Sequence, residues 1–140
     1  MLAKFITDAI TKEQEFLMQA IDDLTLSDLR WQATPEANPI GWILWHMFRV
    51  EDTWVQFFIQ NNTETWERQN WNEVFDLPLR DNGFGHTPEQ VSNFPTLDLA
   101  KLLEYGAEVR KSTLDYLTEL NFNEFTVIPR ERRPSITVAD

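Results

Sequence analysis

Apolar residues recur at steps of three and four through the first two dozen positions of this chain: Leu2, Phe5, Ile6, Ala9, Ile10, Phe16, Leu17, Ala20, Ile21 and Leu24. An α-helix turns once in 3.6 residues, so these steps line one stripe, and the spacing predicts a long amphipathic helix over 2–24. The rhythm returns over 40–60 through Trp42, Ile43, Trp45, His46, Met47, Val50, Trp54, Phe57 and Phe58. It returns again over 97–120 through Leu99, Leu102, Leu103, Gly106, Val109, Thr113, Tyr116, Leu117 and Leu120. Helices with apolar stripes must bury them against one another, so the expected fold is an all-α bundle, with residues 1–140 as a single domain. The middle helix is apolar on more than one face and should be the most buried. Glu13 falls where the first stripe would continue, and its carboxylate is expected to reach water.

The segments between these helices carry their own signals. Ser27-Asp28-Leu29-Arg30 predicts a short turn, and Pro35 and Pro39 punctuate the loop after it. Asn38 is expected to cap the second helix, with Pro39 at its first position. Residues 61–85 are polar and contain the turn signal Asp81-Asn82-Gly83, with Trp66, Trp71 and Phe75 expected to pin the segment down. Thr87-Pro88-Glu89-Gln90 has the form of a capping box around a short helix. Phe94-Pro95-Thr96 should end that helix and cap the next. Gly106 is expected to let a neighbouring backbone come close. Phe125-Thr126-Val127-Ile128 is β-prone but has no partner strand. Thr137-Val138-Ala139-Asp140 has the pattern that precedes an apolar helical run, and no such run follows, which points to a truncated chain.

Composition narrows the function. Six Trp and ten Phe imply an aromatic core, and 23 acids against 12 bases give a formal net charge of −11. Such a surface repels nucleic acid and anionic lipid, which are bound by clustered Lys and Arg. The densest basic stretch, Arg130, Arg132 and Arg133, is interrupted by Glu131 and Pro134 and is expected to be a solvated loop. No apolar run approaches the ~18 residues of a membrane span, and the N-terminus lacks the form of a secretory signal; a cytoplasmic location is the expectation. The absence of cysteine excludes disulfides, thiolate ligands and an intrinsic thiol nucleophile.

Little catalytic machinery is left. The four glycines, at 41, 83, 85 and 106, form no phosphate-binding loop, and neither histidine has a serine in a strand-to-helix elbow. No His-x-x-x-His or Glu-x-x-His pair exists, so a complete histidine-based metal site cannot be built from these residues. His46 is the best single candidate, lying mid-helix among Trp42, Ile43, Trp45, Met47 and Val50. On these grounds alone it reads as a hydrogen-bonded core residue before it reads as a ligand. Asp52 falls nearly opposite His46 on the helix, and Glu51 reaches only the flank of any site there. His86 precedes a helix cap and is expected to lie on the surface.

The stretch Leu29-Arg30-Trp31-Gln32, continued by Pro35-Glu36-Ala37-Asn38-Pro39-Ile40-Gly41-Trp42-Ile43-Leu44-Trp45-His46-Met47-Phe48-Arg49-Val50-Glu51-Asp52, resembles the DinB-like (YfiT-like) superfamily. There a Trp-bearing loop leads through an Asn-Pro-like cap into a helix with Trp-x-x-x-His and then Glu-Asp. Gly85-His86-Thr87-Pro88-Glu89-Gln90-Val91 resembles the short acidic helix before helix three, and residues 134–140 resemble the approach to helix four. The resemblance implies an up-down-down-up four-helix bundle, commonly dimeric, of which three long helices would be present and the fourth truncated. It also implies a divalent metal (Ni, Zn or Mn) held by three histidines. His46 matches the first of these; the other two, a His-x-x-x-His pair on helix four, have no counterpart. Members include metal-dependent transferases and isomerases that use a low-molecular-weight thiol, so the implied partners are a small-molecule substrate or thiol and a second copy of the chain. The alternative is a helical-bundle domain that binds a ligand or protein without a functional metal site.

Overall fold

A computed structural model describes residues 2–120, and there the chain is all-helical, with no strand among the described residues. The helices are α1 (Leu2–Ile21), α2 (Leu26–Leu29), α3 (Ile40–Asp52), α4 (Thr65–Arg68), α5 (Trp71–Phe75), α6 (Pro88–Ser92) and α7 (Leu99–Glu119). The predicted features at 125–128, 130–133 and 137–140, and with them the expected truncated fourth helix, lie outside the described residues.

α3 packs against α7 as the central pair, and α1 lies on α7. Leu44, Trp45 and Phe48 of α3 meet Leu102, Tyr105 and Val109 of α7 in a core that also takes in Trp66 and Phe75. Trp66 stacks on Phe75 with ring centroids 5.9 Å apart and meets the ring of Tyr105 edge-on at 5.2 Å. Each such ring removes some 150–250 Å² from water, so a few aromatics bury what many aliphatics would. Trp66 and Phe75 pin residues 61–85 as expected, and the segment holds two short helices rather than a free loop.

Local signals set most boundaries. Thr87 accepts from the Gln90 amide while the Gln90 side chain accepts from the Thr87 amide, the predicted capping box, with Pro88 opening α6. Thr25 and Asp28 make a second box at α2. Other caps differ from expectation. Pro39, not Asn38, is the cap of α3, and no side chain caps it. α7 is capped by Asp98, which accepts from the Lys101 amide, and not by the Phe94-Pro95-Thr96 stretch. Gly106 makes room for the ring of Phe48 and not for a backbone: a Cβ there would lie 2.6 Å from Phe48 Cζ.

The second long helix does not run to residue 60 in one geometry. After Asp52 it widens into a π-helix, Thr53–Ile59, with the Gln60 amide bonded five residues back to Val55. The β-branched Thr53, Val55 and Ile59 lose rotamer freedom against a tighter turn, which lowers the α preference of this stretch.

Only part of the apolar stripe on α1 is covered. Ile21 is buried and Ile6, Ile10 and Leu17 are half-buried, whereas Leu2, Phe5, Ala9, Phe16 and Ala20 lie exposed on an adjoining stripe. Arg110 of α7 fastens α1 instead. It donates to the Ile10 carbonyl at 2.5 Å, to Glu13 at 3.0 Å and to Glu51 at 2.9 Å, and Thr113 donates to Glu51 at 2.7 Å. Glu13, exposed as expected, therefore also has a partner, and Glu51 is turned toward α7.

Candidate metal centre

Helical spacing from Trp42 to His46 brings the two rings face to face, with centroids 4.6 Å apart and planes 24° from parallel. The His46 Nδ1 atom lies 2.6 Å from the main-chain oxygen of Asn82. A carbonyl only accepts, so Nδ1 carries a proton, and in the neutral ring Nε2 then keeps its lone pair. Nε2 has no hydrogen-bond partner among the described residues. A half-buried imidazole with Nδ1 bonded to a carbonyl and Nε2 without a protein partner among the described residues has, in its neutral form, the donor arrangement that a metal takes.

The Asn82 carbonyl is aimed by a tight turn. Asp81 Oδ1 accepts from the Gly83 amide at 2.9 Å, and Asn82 Oδ1 accepts from the Phe84 amide at 3.0 Å. Gly83 has φ +84°, and a Cβ on it would lie 2.7 Å from His46 Nδ1 and 2.9 Å from the Trp45 ring. Only glycine meets both the conformation and the space.

His86 is not the surface residue expected. Its Nδ1 accepts from the Trp42 indole at 3.1 Å, and its Nε2 lies 2.8 Å from Asp81 Oδ1. The indole can only donate, so the His86 proton sits on Nε2 and goes to Asp81. Both ring nitrogens are thus engaged within the protein. The Asp81-Asn82-Gly83 turn signal was visible in the sequence; that the turn folds back onto α3, 36 residues away, was not.

Behind the site lies a buried ionic network absent from the sequence reading. Arg49 donates from Nε to the Asp81 carbonyl at 3.0 Å, from Nη2 to Glu64 at 3.1 Å and from Nη1 to the Tyr105 hydroxyl at 3.3 Å, and its guanidinium sits over the Trp66 ring. Asp52, fully buried, accepts from the Thr65 and Trp66 amides at 2.8 Å each and from Tyr105 at 2.9 Å. Burial raises the Asp52 carboxyl above its ordinary value despite these donors and the Arg49 charge. Burial opposes the Arg49 charge, but Tyr105 and Glu64 outweigh it and hold the guanidinium protonated above its usual range. Burial also pushes the Tyr105 phenol well up. The bonds of Asp52 are to Tyr105 and to the Thr65 and Trp66 amides, whereas Arg49 also reaches the Asp81 carbonyl in the turn beside His46.

No three His, Asp or Glu side chains that could hold a metal come together among the described residues. His46 suits a metal as one ligand, and the described residues do not complete a set. No described helix is long and apolar enough to cross a membrane.

A family model described as the DinB superfamily matches residues 9–140. Among solved structures, the crystal structure of a conserved protein of a locus from Enterococcus faecalis superposes with a TM-score of 0.77 over 89% of this chain and 74% of that one, at 21% identity. At that identity the likeness is one of fold. No curated protein matches.

Proposed function

The chain belongs to the DinB superfamily, and from that premise we propose that it acts as a divalent-metal-dependent enzyme in which His46 is one metal ligand, through Nε2. The observation that carries this is the hydrogen bond from His46 Nδ1 to the Asn82 carbonyl, which fixes the ring and leaves the opposite nitrogen as a lone-pair donor. The remaining ligands are not among the described residues. The reaction class proposed is a transferase or isomerase using a low-molecular-weight thiol, with Ni, Zn or Mn as the metal and a homodimer as the assembly. Bound there, a divalent cation would polarise a coordinated thiol or water. The part of this chain's own residues is to present His46 in one orientation, through Trp42 stacked on it and Gly83 packed against it.

The test is metal content in the full-length protein. Wild type should take up about one divalent ion per chain, and His46→Ala should fall below ~0.1 while keeping its fold. A His46→Ala protein that retains stoichiometric metal refutes the placement.

A second reading, a non-enzymatic domain that binds a ligand or partner through apolar surface, is favoured by the exposed Phe5 and Phe16 on α1 and Trp54 on the π-helix. It prevails if the full-length protein binds no metal yet associates through that surface.

A further inference from the structure

His86 is the more fully bonded of the two histidines, with both ring nitrogens engaged where His46 engages one. Its side chain is about nine-tenths buried, between the Trp42 indole and the Asp81 carboxylate. It also stacks on Trp45 with centroids 6.0 Å apart. Asp81 is gripped at four points: His86 Nε2 and the Gly83 amide on its carboxylate, Arg49 Nε on its carbonyl, and the Pro78 carbonyl on its amide. The next carbonyl along, that of Asn82, accepts the hydrogen bond from His46 Nδ1–H. Trp42 closes the circuit, because the same indole that stacks on His46 donates to His86.

We infer that His86 is a positioning residue: by holding Asp81, it sets the turn whose Asn82 carbonyl confines the His46 proton to Nδ1 and keeps Nε2 free. Without the His86 N–H, the Asp81 carboxylate keeps only the Gly83 amide, so the turn and its Asn82 oxygen lose one of their fixings. A His46 ring not held by that oxygen can carry its proton on either nitrogen, and only one tautomer offers Nε2 to a ligand. The consequence for metal rests on His46 being a ligand, whereas the tautomer itself does not depend on that reading.

The experiment is long-range ¹H–¹⁵N correlation of the histidine rings in the metal-free, full-length protein at one fixed pH above the imidazole range, paired with a Ni(II) titration. In wild type, His46 should show a protonated Nδ1 and an unprotonated Nε2, and His86 the reverse. His86→Phe, which keeps a ring but no hydrogen bond, should draw the two His46 nitrogen shifts together and weaken Ni(II) binding by about 10- to 100-fold. His86→Gln, which can accept from Trp42 and donate to Asp81, should restore both. A wild-type His86 with its proton on Nδ1 overturns the inference, and so does a folded His86→Phe protein with His46 unchanged. If His86→Phe does not fold, the wild-type assignments and the His86→Gln protein decide the matter in the same terms. A His46 tautomer that responds to His86 in a protein with no Ni(II) affinity supports this inference and sinks the metal reading.

Discussion

A methyl group placed on Gly83 would sit 2.7 Å from Nδ1 of His46. The turn and the imidazole are thus packed to the point where one added carbon must displace one of them. Gly83→Ala combines that clash with a φ of +84°, which alone costs an L-residue about 1–2 kcal/mol. The expected outcome is a loss of about 2–3 kcal/mol in denaturant unfolding, together with weaker metal uptake. A variant as stable as wild type would show that the turn adapts and does not hold His46.

Tyr105 and Asp52 supply a second expectation. The phenol donates to Asp52 and accepts from Arg49, all three groups being buried. Tyr105→Phe leaves the ring contacts and removes both bonds, which should cost about 1.5–3 kcal/mol, because the partners are charged. Helical content by circular dichroism should be unchanged. A cost near zero would mean that Arg49 and Asp52 satisfy each other directly across the 3.6 Å between them.

The pH dependence of Asp52 runs against the usual direction for a paired carboxylate. Burial raises its folded value above the ordinary 3.8, so the folded state takes up the proton more readily than the unfolded chain. Its contribution is therefore fully present below the unfolded value and is lost as pH rises through the folded one. Asp52→Asn removes that contribution, so the substitution should cost more stability at about pH 4 than at about pH 7. Urea unfolding at the two pH values checks the sign, and a larger cost at neutral pH would show that the hydrogen bonds outweigh the burial.

Arg110 predicts where the bundle opens first. α1 buries only Ile21 fully, and the Arg110 guanidinium ties it to α3 and α7 through Glu13, Glu51 and the Ile10 carbonyl. Burial works against the Arg110 charge, yet Glu51 and Glu13 hold it protonated above its usual range. Arg110→Ala should raise amide exchange across α1 by about 10-fold or more and leave the α3–α7 pair protected. Uniform exchange in both would place the strength of α1 elsewhere.

How much of this was legible in the sequence depends on whether the cause was local. The Thr87 and Gln90 capping box could be read because both partners lie within one turn. His46 could be placed on its helix and matched to a family motif. The inward stripe of α3 and the π-helix after it carries polar groups that the apolar pattern does not announce: Trp45, Arg49, Asp52 and Gln56 follow one another at steps of four and three, and all are buried. A charged residue such as Arg49 on a buried stripe is legible only once Tyr105, 56 residues on, and Glu64 are known to meet it. His86 was misplaced for the same reason, since nothing near it in sequence says that residue 42 is its neighbour. The π-helix escaped because apolar spacing at 53–59 resembles that of an ordinary helix until its hydrogen bonds are seen. The half-covered stripe on α1 shows that periodicity announces what a helix could bury and not how much of it a neighbour reaches.

The oxygen that holds His46 belongs to the peptide backbone of residue 82, and every amino acid brings that same atom. Exchange of the Asn82 side chain therefore cannot delete the acceptor; it can act only by reshaping the turn. The vulnerability of the imidazole's setting is thereby moved to its neighbours, above all to position 83, where the genetic code offers no second residue without a side chain. Random mutation would register most sharply there, whereas at codon 82 it would act only through the bond that Asn82 Oδ1 accepts from the Phe84 amide.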